Sequence, residues 1–170
     1  MKKIKSLIMI IMIAVTTGAM AQESATASSS ATIVAPIGIA QAADMNFGNV
    51  ATNDAGGTVI MTTGGSTSLT GGVTLPADTG TVAAAAFDVT GEADYTYTIA
   101  LPSGAITLQD DAGTPNEMTV DTFVSDPDTT GALTSGAQTV NVGATLNVAG
   151  GQTAGVYTNT TNLTVTVNYN

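Results

Sequence analysis

Two stretches of this chain bring carboxylates close enough together in sequence to hold a hard cation. Asp126-Pro127-Asp128-Thr129-Thr130-Gly131 opens like a calcium loop, with acids two residues apart and a glycine that permits a tight wrap. An EF-hand would close on a bidentate Glu, and Ala137 stands there instead. Asp110 and Asp111 form the second acidic pair. Both stretches read first as solvated turns, in which Asp side chains accept bonds from nearby backbone, with a non-EF calcium site as the alternative. Asp78-Thr79-Gly80 matches the core of the aspartic-protease motif. Pro76 stands where such proteases have an apolar strand residue, so this too reads as a turn. Glycosidase carboxylates normally sit in clefts lined by aromatics, and the chain has no Trp, 4 Tyr and 3 Phe.

Other chemistry is excluded by residue type. The chain has no His and no Cys, and its three basic residues, Lys2, Lys3 and Lys5, all precede an apolar run from Leu7 to Val15. That run ends in Ala19-Met20-Ala21, a small-x-small pattern. Together these features predict a secretory signal peptide over residues 1–21, too short in its apolar part to span a bilayer. Cleavage after Ala21 would leave 13 acidic side chains and no cationic one. Such a chain cannot build a Ser-His-Asp or Cys-His site, a Schiff base or an arginine clamp on phosphate. Zinc, haem and iron–sulfur sites lose their usual ligands. Nucleic acid and anionic membrane surfaces offer nothing that this charge could neutralise. The expectation is a protein that is not an enzyme and has no cofactor beyond calcium. It would be exported to the periplasm, cell surface or extracellular space.

The elements that must position these residues are all strands. Residues 22–30 (QESATASSS) read as a flexible lead, and residues 31–170 as a single domain. From Ala31 the apolar period becomes two, with Ile33, Ile37 and Ile39 on one side and Pro36 arguing for an edge or a bend. Further strands are expected over Gly57–Thr62, Ser66–Leu75, Ala84–Thr90, Tyr95–Leu101, Ile106–Gln109, Met118–Val124, Gln138–Val148 and Tyr157–Tyr169. In the last of these Leu163, Val165, Val167 and Tyr169 alternate with Thr164, Thr166 and Asn168. No window outside the leader sustains a helical period. Short strands separated by turn signals predict an all-β, antiparallel sandwich or Greek-key barrel of about seven to nine strands.

Several of these pieces are specific in combination: SATIVAPIGIA, then MNFGNV, FDVTG, YTYTIALP and the closing NVGATLNVAGGQTAGVYTNTTNLTVTVNYN. The chain resembles a family of small, cysteine-free secreted bacterial domains of unknown function, related to archaic chaperone–usher fimbrial subunits and spore-coat-U-like domains. The resemblance implies an immunoglobulin-like sandwich that either completes itself or is completed by a donor strand. It also implies self-association, with a periplasmic chaperone and an outer-membrane usher as partners. Ile33, Ile37 and Ile39 would then be donor-strand side chains or the first strand of the domain itself. Leu163, Val165, Val167 and Tyr169 would form the other strand-addition segment. The expected function is a structural subunit of a fimbria-like or extracellular assembly. The alternative is a monomeric secreted binding module for calcium or a glycan.

Overall fold

The computed structural model describes residues 22–114, 116–159 and 161–170. The expected export signal, residues 1–21, lies outside the described residues. The chain divides at Ile33 and Val34. Residues 22–33 are exposed and form neither helix nor strand. No helix among the described residues is long and apolar enough to cross a membrane.

From Val34 onward the fold is built around one long strand, Ala137–Val148, which is β11 in chain order. Val140, Val142, Ala144, Leu146 and Val148 are all buried on one face of it, as the two-residue period of an extended chain requires. One edge of β11 pairs first with β6 (Ala85–Thr90) and then with β3 (Ala51–Met61). The other edge pairs with β9 (Glu117–Asp126). Outside these lie β1 (Gly38–Ala43) on β6, β4 (Thr67–Thr74) on β3, and β8 (Ile106–Gln109) then β12 (Thr158–Asn159) on β9. Every pairing in this eight-stranded sheet is antiparallel.

Two smaller sheets cover its apolar face. β7 (Thr96–Ala100) is flanked by β10 (Thr130–Ala132) and β13 (Thr166–Tyr169). Their Tyr97, Ile99 and Val167, with Leu133 and Val165, pack on Ala85, Val89, Val140 and Val142. β2 (Asn46–Phe47) and β5 (Val82–Ala83) form a two-stranded flap. Phe47 and Val82 from that flap close a second core over Val59, Met61, Val73, Val120, Ala144, Leu146 and Val148. Each such aliphatic side chain, fully buried, contributes about 1.5–3 kcal/mol, so these clusters hold the layers together without disulfides. The expected all-β antiparallel sandwich is thus the fold observed.

The cores meet at Gly143, where β11 shifts register against β9. A side chain there would put its Cβ 2.3 Å from the Met61 carbonyl oxygen, so only glycine lets the end of β3 cross so close. Thr122, opposite this shift, takes a positive φ of 51° to absorb the extra residue.

The ladder departs from the sequence expectation at both ends. Its first strand begins at Gly38, not Ala31, so Ile33 and Ile37 lie outside any strand and only Ile39 is in one. Pro36 supplies no N–H, and the N–H and C=O of Ala35 are committed to side chains. Tyr157–Tyr169 is not one strand: β12 joins the large sheet and β13 the three-stranded one. Between them the Asn159 side chain donates to the Thr161 carbonyl at 2.9 Å and to Asn162 Oδ1 at 3.2 Å, turning the backbone away from the ladder.

Candidate functional site

The two ends of the chain from Val34 onward meet at one edge of the sandwich. The Tyr169 hydroxyl accepts the Glu92 N–H at 2.6 Å and donates to the Ala35 carbonyl at 2.9 Å. Glu92 Oε2 accepts the Ala35 N–H at 2.8 Å. Residues 35, 92 and 169 therefore form a closed polar clasp, in which one bond is charge-assisted. Tyr95 packs edge-to-face on the Tyr169 ring, with centroids 5.6 Å apart and planes at 65°. Gly91 makes room for the hydroxyl, since a Cβ there would lie 2.2 Å from it.

Of the two alternating segments, the C-terminal one is a single inward face. Val165 and Val167 are buried, and Leu163 and Tyr169 pack partly buried against the same core. The N-terminal one is divided. Ile33 is 96% exposed, Ile37 packs on the first core, and Ile39 is exposed within β1. Among the described residues β1 pairs only with β6 and β13 only with β7, so each leaves one backbone edge unpaired. Glu92 was not legible as a partner of Ala35: the two are 57 residues apart and nothing in the local pattern joins them.

The acidic pairs stand at opposite ends of β9: Asp110 and Asp111 in its connection to β8, Asp126 at its last position and Asp128 in the connection to β10. A ten-residue strand separates them by about 30 Å, so they cannot share an ion. Asp110 Oδ1 accepts the Asn116 N–H at 2.8 Å and the Ala112 N–H at 3.3 Å, while Oδ2 accepts the Asn116 side-chain amide at 2.6 Å. These bonds, led by the Asn116 side chain, hold the Asp110 carboxyl below the usual aspartate range. Its oxygens are occupied in shaping a turn. Asp111 is exposed beside it. Asp126 closes β9, and the Asp128 carbonyl accepts the Ser125 hydroxyl at 2.6 Å. No three Asp or Glu side chains among the described residues gather closely enough to hold a metal ion.

Asp78 also shapes a turn. Its Oδ1 accepts the Gly80 N–H at 3.1 Å, and Asn49 donates to the carbonyls of Asp78 and Thr79 at 3.1 and 2.7 Å. The hollows found are shallow and open, such as one of about 400 Å³ beside Glu117, Thr119 and Asn147.

The class defined by these features is a small antiparallel β-sandwich, free of cysteine, whose terminal segments are bound to each other at one edge. More particularly, the model of a family described as a domain of unknown function, DUF4402, matches residues 37–169, and the chain belongs to that family. The match opens one residue before β1 and runs to the end of β13, leaving the 22–36 segment ahead of it. No curated protein matches the chain. Membership in a family of domains of unknown function is what the sequence motifs implied.

Proposed function

We propose that the chain is an exported structural subunit of a fimbria-like or extracellular assembly, and that its copies join by β-strand addition. One observation carries this reading. The stretch over residues 31–36 belongs to no sheet and precedes the family domain, while among the described residues strands β1 and β13 each leave a backbone edge unpaired. In strand addition the edge supplies main-chain bonds, and a free apolar side chain such as Ile33, which is not held in this chain's own core, fills a pocket on the acceptor.

The resemblance of the MNFGNV, FDVTG and C-terminal motifs to fimbrial subunits supports the same reading. It brings an immunoglobulin-like strand order, a periplasmic chaperone and an outer-membrane usher into the proposal. Deleting residues 22–33 from the exported chain leaves every strand and the Ala35 clasp in place. Electron microscopy should then show filaments lost while the far-ultraviolet circular dichroism of the purified protein keeps its β form. Filaments unchanged by the deletion would contradict the proposal.

A further inference from the structure

Strand β1 is the most loosely held of the longer strands. It has six residues, and it alone among the described strands of that length or more contributes no side chain to either core. Gly38 to Ala42 are all exposed, and a single backbone ladder, on β6, holds them. That ladder runs from Gly38↔Thr90 to Gln41↔Phe87 and breaks before Ala43. The other anchors lie ahead of the strand: Ile37, packed on the first core, and the clasp at Ala35. Behind it only Asp44 and Met45 separate β1 from β2, which belongs to another sheet. Elements with few buried contacts open first, and short hinges favour the exchange of an element between copies.

We propose that residues 34–43 form a strap that two copies of this chain exchange, with the clasp as its latch. The structure itself shows what occupies the β6 edge: β6 already holds this segment in a defined register, and a second copy carries the same segment. Opening breaks the bonds of Ala35 to Glu92 and Tyr169, lifts Ile37 from the first core and unzips β1 from β6. The strap of each copy then takes the same place on the other, with Ile39 against Val89 and Ala40 against Asp88. Every bond lost is remade across the dimer, and only the hinge at Asp44 and Met45 changes conformation. Reciprocal exchange closes on itself, so the dimer is two-fold and does not grow. No residue ahead of Val34 takes part, so the exchange is independent of strand addition by the N-terminal segment. The clasp is the same in monomer and dimer and therefore sets the rate of exchange, leaving the balance between them alone.

The chain has no cysteine, so single substitutions report the pairing cleanly. Residues 22–170 with Ala40→Cys are mixed with the same chain carrying Asp88→Cys, refolded together at high concentration and oxidised. Dimers should form that are linked mainly between position 40 of one copy and position 88 of the other. A chain with both substitutions, oxidised beforehand as a monomer, should stay monomeric. Tyr169→Phe removes the hydroxyl and keeps the ring on Tyr95, so exchange between copies should run about tenfold faster with the dimer fraction unchanged. A wild-type chain that stays monomeric after refolding at high concentration would overturn the inference. So would links joining like positions as often as 40 to 88, or exchange no faster in Tyr169→Phe. Deleting residues 22–33 should leave the exchange intact while removing strand-added filaments, so the two proposals fail separately.

Discussion

Val140 and Val142, at one end of β11, lie under a three-stranded sheet, whereas Ala144, Leu146 and Val148, at the other, lie under a flap of four ladder residues. The first core also holds a polar group. The Tyr97 ring is fully buried, and its hydroxyl donates to Gln138 Oε1 at 2.9 Å, an oxygen that also accepts the Ala132 N–H at 2.8 Å. That network ties β7, β10 and β11 in a single register, since any slip would leave the Tyr97 hydroxyl unpaired. The second core contains apolar side chains alone and is closed by Phe47 and Val82 on short strands. Shape and burial hold it, with little directional bonding to fix its cover. The fixed end is also the end that carries the clasp of residues 35, 92 and 169, where a joining strand would need a rigid acceptor.

The largest effect should come from the position the two cores share. Gly143→Ala drives a Cβ into the Met61 carbonyl and should cost about 3 kcal/mol, read as a fall in the urea midpoint. Next, Met61→Ala should cost about 2–3 kcal/mol by opening a cavity in the second core. In that variant the amides of Phe47 and Val82 should lose hydrogen-exchange protection well before those of Tyr97 and Val140. Equal loss across both cores would show a single cooperative unit and dissolve the contrast.

Tyr97→Phe removes one bond to an acceptor that keeps another, so its cost should be about 1 kcal/mol near neutral pH. Burial raises the Tyr97 pKa above the usual tyrosine value of 10.0. The folded state therefore holds that proton more tightly than the unfolded chain. The stability it contributes is full below the unfolded pKa and declines as pH rises toward the folded value. Alkaline unfolding followed by tyrosine absorbance should show this decline in the wild type and lose its share in Tyr97→Phe. The smallest effect belongs to Asp110. Its lowered pKa contributes stability above the unfolded value that is lost as pH falls through the folded one. Asp110→Asn should flatten the acid limb of a melting-temperature profile slightly and leave the alkaline limb unchanged.

Much of this was legible because strands write a two-residue period. Val140 to Val148 and Val165 to Tyr169 alternate in sequence as they do in burial, and Tyr97 and Ile99 point inward as their pattern requires. Strand β10 escaped notice because three residues, Thr130-Gly131-Ala132, are too few to show a period. The extension of β3 back to Ala51 was hidden by a register break between Thr52 and Gly57, where polar and glycine residues interrupt the alternation. At the candidate site, the alternation marked Leu163 to Tyr169 but not what Tyr169 does. A hydroxyl bridging Ala35 and Glu92 depends on contacts across 134 and 77 residues, which only the folded sheets create. The Asp78 and Asp110 carboxylates each accept a backbone N–H two residues on, the local bond that makes Asp a turn residue, whereas Asp126 ends strand β9.

The central claim is that copies of this chain are joined through the segment ahead of β1. Light scattering on residues 22–170, beside the same chain lacking residues 22–33, measures this directly. The account predicts large, denaturant-resistant polymers from the first and only small, dissociable species from the second, both with the same β spectrum. A 22–170 chain that stays a stable monomer or dimer, or polymers that persist without residues 22–33, would contradict it.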